Sequence, residues 1–87
     1  MDFQNALTNL KVGNKVARNG WNGKDMYLYL VRGGKFNVNR EPLLTHLGYG
    51  TEATYRDHID MKTADGSLVP WVASQTDLLA DDWKVVL

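Results

Sequence analysis

The first residues place apolar side chains at Phe3, Ala6, Leu7 and Leu10, the i, i+3, i+4, i+7 spacing of one helical stripe. Asp2 stands where a carboxylate accepts from the first free helical N–H groups, and Gly13 where helices commonly stop. An amphipathic helix is predicted between them. Lys15 to Arg18 reads as a short strand, and Asn19-Gly20-Trp21-Asn22-Gly23 as a turn with an aromatic residue at its centre. Met26 to Arg32 is the strongest strand. Tyr27, Tyr29 and Val31 alternate with Met26, Leu28 and Leu30, so both faces are apolar and both are expected to be covered, one of them by another subunit.

Residues 35–55 carry no regular pattern, with Pro42, Gly48 and Gly50 interrupting them. A short strand near Phe36 to Val38 is predicted, and otherwise a long irregular connection of the kind that is often functional. Beyond it, Ile59, Met61 and Thr63 alternate with His58, Asp60 and Lys62, a half-buried strand. Asp65-Gly66 is the signal of a two-residue hairpin loop. Counting outward from that loop sets Ala64 opposite Ser67, Lys62 opposite Val69, Asp60 opposite Trp71 and His58 opposite Ala73. Opposed residues share a sheet face. This register predicts a core face of Ile59, Met61, Thr63, Leu68, Pro70 and Val72, with Trp71 on the polar face; a slip of one residue would reverse it. Ser74 is placed to cap a short helix, with Asp77 in the acidic position three residues on. Trp83, Val85 and Leu87 alternate with Lys84 and Val86 as a closing strand, Trp83 facing the core. The expected fold is α+β in a single domain over residues 1–87. An N-terminal helix packs on a small antiparallel β-sheet, with a short helix near the C-terminus.

Composition narrows what such a domain can do. At 87 residues there is room for one core, and a domain this small buries only about 60% of its unfolded surface. There is no Cys, which excludes disulfides and thiolate metal sites and fits a reducing compartment. His46 and His58 cannot close a zinc site unaided, so self-association is the expected support. Formal net charge is zero, leaving no global attraction to a nucleic-acid polymer. The opening residues lack the basic and apolar regions of a secretory signal. The longest apolar run falls far short of the ~20 residues of a membrane helix. A small molecule, or another protein, is the expected partner.

No Gly-rich phosphate loop, His-Glu metal helix or nucleophile elbow is present. His58, Asp60 and Lys62 align on one strand face and form an acid/base set in principle, although exposed strands carry such residues routinely. Trp21 and Trp71 each have two readings. One is packing over the edge of the core; the other is a flat face on which a base stacks, worth ~1–3 kcal/mol. Glycines and asparagines around Trp21 permit close backbone approach.

Three stretches resemble one family. They are Phe3…Ala6-Leu7…Leu10-Lys11…Gly13-Asn14-Lys15-Val16-Ala17-Arg18-Asn19-Gly20-Trp21-Asn22-Gly23-Lys24, then His58-Ile59-Asp60-Met61-Lys62-Thr63-Ala64-Asp65-Gly66, then Val69-Pro70-Trp71-Val72-Ala73-Ser74-Gln75-Thr76-Asp77-Leu78-Leu79-Ala80-Asp81-Asp82-Trp83. Together they are similar to small phage and prophage proteins that include the second Thoeris anti-defence family, over nearly the whole chain except residues 32–54. The resemblance implies a cytoplasmic sponge in the infected host. Such a protein binds a cyclic ADP-ribose isomer, and in some members cyclic oligonucleotides in separate pockets, without cleaving the signal. It implies a homotetramer with pockets between subunits and no cofactor. Carried over, it makes Trp21, Asn22, Met26, Arg56, Thr63, Trp71, Ser74 and Asp77 the ligand-binding candidates. The chemistry is coherent: tryptophans for base stacking, Asp77 or Ser74 to accept from ribose hydroxyls, Arg56 and Lys62 for phosphate. Two alternatives stand beside it. One is an enzyme hydrolysing the same signal with His58 or Asp60 as base, the other a phage structural or adaptor domain.

Overall fold

In the computed structural model, which describes residues 1–87, helix α1 spans Phe3–Lys11. Asp2 accepts from the Asn5 N–H at 2.9 Å and so caps it. Strands β1 (Lys15–Arg18) and β2 (Tyr27–Val31) follow. Next come β3 (Gly34–Asn37), helix α2 (Leu43–Leu47) and β4 (Glu52–Tyr55). Strands β5 (His58–Lys62) and β6 (Leu68–Pro70), helix α3 (Gln75–Leu78) and strand β7 (Trp83–Val86) complete the chain. The fold is α+β, as its patterning implies. No helix is long and apolar enough to cross a membrane.

Five strands form one sheet in the order β6-β5-β2-β1-β7, every neighbour antiparallel. Val16 pairs with both Leu28 and Val85, Leu28 with Met61, and Leu30 with Ile59, so these side chains share a face. The apolar stripe of α1 lies on it. Ala6, Leu10, Val16, Leu28 and Trp83 form the buried core, with Phe3, Leu7, Ile59, Met61 and Trp71 packed around it. Tyr27, Tyr29 and Val31 take the other face with Lys62, Asp60 and His58, as their alternation predicts. Helix α1 covers only the first face. On the second, the Lys15 and Lys62 ammonium groups sit 4.8 and 5.5 Å from the Tyr27 ring centroid, a cation–π arrangement.

Two expectations are corrected. Residues 35–55 are an ordered arm rather than an irregular connection. Strands β3 and β4 pair from Gly34↔Tyr55 to Asn37↔Glu52, with α2 at the tip and Val38 buried. The arm leaves the body at Gly33, where a Cβ would lie 1.8 Å from the Tyr55 carbonyl oxygen. Asp57 fastens this junction by accepting from the Gly33 N–H at 2.8 Å and from Arg32 at 2.9 Å.

The second correction is the register of the β5–β6 hairpin. Met61, not Lys62, pairs with Val69, and the Trp71 N–H donates to the Ile59 carbonyl at 3.0 Å. The loop has three residues, Ala64 to Gly66. Thr63 bonds Ser67 across its base and the Gly66 N–H returns to Thr63 O at 3.0 Å. A two-residue loop of the expected type needs positive φ at both Asp65 and Gly66. Only Gly66 has it, at +91°. Asp65 uses its carboxylate instead, accepting from the Thr63 hydroxyl and the Ser67 N–H. Every side chain beyond the loop therefore changes face. Trp71 joins Ile59 and Met61 on the core side, while Leu68 and Val72 are exposed.

Candidate ligand-binding site

Trp83 is the hub of an aromatic cluster beneath α1 and α3. Its ring lies edge-on to Trp21 at 5.4 Å and to Trp71 at 6.1 Å, and Phe3 packs on it at 5.3 Å. Its indole N–H donates to the Asp77 carbonyl at 2.9 Å, which ties α3 to β7. Ser74 holds the start of α3 by accepting from the Asp77 N–H at 3.0 Å, as the Ser74/Asp77 spacing predicts.

The Asp77 carboxylate faces the turn after β1. It accepts from Arg18 Nη1 at 2.8 Å and from Trp21 Nε1 at 3.2 Å. Arg18 also reaches Asp82, Nε to Oδ1, at 2.7 Å, and Asp82 Oδ2 accepts from the Gly20 N–H at 2.7 Å. Burial alone would raise the Asp77 carboxyl, but the bonds from Arg18, Trp21 and Ser74 outweigh it and hold it below the usual range. Arg18 likewise depresses Asp82, helped by the Gly20 N–H, and its own guanidinium is raised by the bonds to Asp82 and then Asp77.

Beside this network lies a groove of about 560 Å³, within the ~300–1,000 Å³ typical of small-molecule sites. Trp21 and Met26 give it apolar walls, Asn19 a hydrogen-bonding edge, Arg18, Lys24 and Lys84 positive charge, and Asp25 one carboxylate among them. Its loop is tied across the sheet by Lys62 Nζ, which donates to the Asp25 carbonyl at 3.1 Å. Asp25 adopts φ +60°, a conformation short polar residues tolerate. A second, mostly apolar groove of about 480 Å³ runs along Phe3, Leu7, Leu30, Ile59, Trp71 and Leu78, with His58 at its rim. The first groove combines an aromatic wall with cations, which suits a planar, anionic ligand. No group of three or more His, Asp or Glu side chains is arranged to hold a metal ion.

Residues 1–86 match the family model for the Thoeris anti-defense 2-like domain. The chain belongs to that family. A curated relative, the Thoeris anti-defense 2 protein of Bacillus phage SP01, is 41% identical over 91 residues, covering 99% of this chain and 94% of the relative.

The eight candidates that the family resemblance marks fall into separate places. Trp21 and Met26 line the cationic groove, and Asn22 lies exposed in the same loop. Thr63 stands at the base of the β5–β6 loop near them, since Gly23 of the groove lies against Ala64. Its hydroxyl is spent on Asp65 and the Ser67 carbonyl. Asp77 and Ser74 stand behind Trp21, one through its carboxylate and the other through the cap. Trp71 lines the second groove. Arg56 precedes β5 at the His58 end, whereas Met26 precedes β2 at the Lys62 end, so the two lie at opposite ends of the sheet. Arg18, Asp82, Lys24 and Lys84 did not stand out in the sequence. Arg18 and Asp82 are 64 residues apart, and their only local signal is a polar end to an otherwise apolar strand.

Proposed function

We propose that this protein, a member of a phage anti-defence family, captures a cyclic ADP-ribose isomer immune signal in the host cytoplasm and holds it without cleaving it. The observation that carries this reading is the groove in which Trp21 and Met26 meet Lys24 and Lys84. A base stacks on the indole, and the ammonium groups meet the diphosphate. Incubation with the isomer tests it. The signal should leave solution in proportion to protein and return intact on heating, whereas steady release of linear ADP-ribose would establish hydrolysis.

The reading includes self-association, with tetramers as the expected form. A compact monomer of 9.8 kDa exposes roughly 5,200 Å², and this chain exposes 6229 Å². Its radius of gyration is 15.8 Å, against roughly 12 Å for a compact chain of this length. The surplus, roughly 1,000 Å², is somewhat more than the ~800 Å² that one partner contributes to a standard interface. In this reading Arg56, at the far end of its own sheet, reaches the groove from a neighbouring copy. Light scattering at micromolar concentration decides this; a monomer would remove Arg56 from the site.

A further inference from the structure

Trp21 sits in a loop rich in glycine and asparagine, where a large ring has little to fix it. Two chains of bonds, both starting from Arg18, nevertheless end on this loop. One runs from Arg18 through the Asp77 carboxylate to the indole N–H, at 2.8 and 3.2 Å. The other runs from Arg18 through Asp82 to the Gly20 N–H, at 2.7 and 2.7 Å. The edge of Trp83 buttresses the same ring at 5.4 Å with an interplanar angle of 79°. Arg18 and Asp77 side chains are only 15% and 16% exposed, so the pair is shielded from competing water.

We propose that Asp77 and Asp82, both bonded to Arg18, are positioning residues that hold the Trp21 ring in a fixed plane at the groove wall; neither lines the groove, so both act on a ligand through that ring and not by touching it. This rests on reading the Trp21 groove as the signal pocket. An unrestrained ring must be ordered when ligand binds, and that loss of freedom weakens affinity. An indole has a single N–H donor, so the Asp77 acceptor anchors that edge of the ring while the Trp83 contact limits rotation about the bond.

Indole N–H exchange measured by NMR on the full-length chain tests the proposal, with the Trp21 signal assigned from Trp21→Phe. In Asp77→Ala, the Trp21 N–H should lose its protection. The Trp83 N–H, bonded to the backbone carbonyl of residue 77, should keep its own. Binding of the cyclic ADP-ribose isomer should weaken at least tenfold. Arg18 stays paired with Asp82 in this variant, so its melting temperature should fall only slightly. Asp77→Asn retains an acceptor oxygen and should restore both the protection and most of the affinity. Unchanged Trp21 exchange in Asp77→Ala would overturn the proposal, as would lost protection in Asp77→Asn. A loss of affinity with the ring still protected would place Asp77 in direct ligand contact instead. If wild type binds no isomer while Asp77→Ala still frees the indole, the signal reading fails and the positioning role stands.

Discussion

In the body of the molecule, α1 lies on five antiparallel strands and the buried side chains come from residues as distant as Ala6 and Trp83. In the arm, two strands and a five-residue helix surround one buried side chain, Val38. Strands β3 and β4 pack on each other, and no helix or strand of the body packs broadly against them. An isolated two-stranded hairpin is marginal in water, and regions with few long-range apolar contacts open most readily. The body is thus stabilised by its own burial. The arm buries far less, and leaves Tyr49 and Tyr55 exposed at 82% and 59%.

The largest expected effect lies at the hub of the body. Trp83→Ala should cost ~3–5 kcal/mol, the range for truncating a buried Trp, out of a total commonly ~5–15 kcal/mol. Trp71→Ala should also destabilise, by roughly half as much, because its ring packs on Phe3 and Trp83 but remains half-buried. Thermal melts of both variants decide the register as well. A Trp71 on the polar face would leave stability nearly unchanged on truncation.

Val38→Ala reports on the arm. It removes two methyl groups from the arm's one buried position, worth ~2 kcal/mol by transfer and cavity terms together. Hydrogen exchange should quicken at Val38, Gly50 and the β3–β4 ladder, while β1, β2 and β7 keep their protection. Equal loss of protection in both regions would show that arm and body unfold as one.

What the sequence discloses follows the same division. Helix α1, β1, β2 and β7 are legible because long-range burial imposes a clean period on Phe3, Ala6, Leu7 and Leu10, on Leu28 and Leu30, and on Trp83 and Val85. Of the arm only a strand near Phe36 to Val38 is legible, overlapping β3, because short exposed strands such as Glu52–Tyr55 bury almost nothing and so carry no period. Trp21 stands out through its Gly and Asn neighbours. Its partners do not, because the Arg18–Asp77 and Arg18–Asp82 bonds join residues with no local relation. Trp71 was misplaced by one turn residue, since a sheet's period of two converts any slip into a change of face.

Acid offers a milder probe that reaches both regions. Asp65 is depressed to about 2, chiefly by the Thr63 hydroxyl and the Ser67 N–H. Asp57 is lowered by the Gly33 N–H and then Arg32, and Asp77 and Asp82 are lowered as described. A carboxylate lowered by folding stabilises above its unfolded value of ~4 and loses that contribution as pH falls through its folded value. Stability should therefore be level above ~pH 5 and decline below ~pH 4. Asp57→Asn should soften the acid response at the arm junction alone, and Asp82→Asn that of the Trp21 loop; chemical-denaturation midpoints across pH 2.5–6, with exchange read region by region, would show the opposite if the two junctions are coupled.

The smallest effects compare the two hairpins at single residues. In the body, Gly66 has φ +91° and open space around its would-be Cβ, so Gly66→Ala meets no clash and bears only the backbone cost of the left-handed region. That cost is ~1–2 kcal/mol, a fall in melting temperature of ~4–8 °C per kcal/mol for a domain of this size. In the arm, Gly34 also has open space but no positive φ, so Gly34→Ala should be neutral or raise stability by up to ~1 kcal/mol through the unfolded chain. Asp65→Gly then separates the two loop geometries. A two-residue loop with positive φ at Asp65 would welcome glycine there. The three-residue loop needs the Asp65 carboxylate for Thr63 and Ser67, so the variant should melt lower. If Asp65→Gly melts higher, the loop has two residues, Trp71 turns to the polar face, and the aromatic cluster around Trp83 loses one of its members.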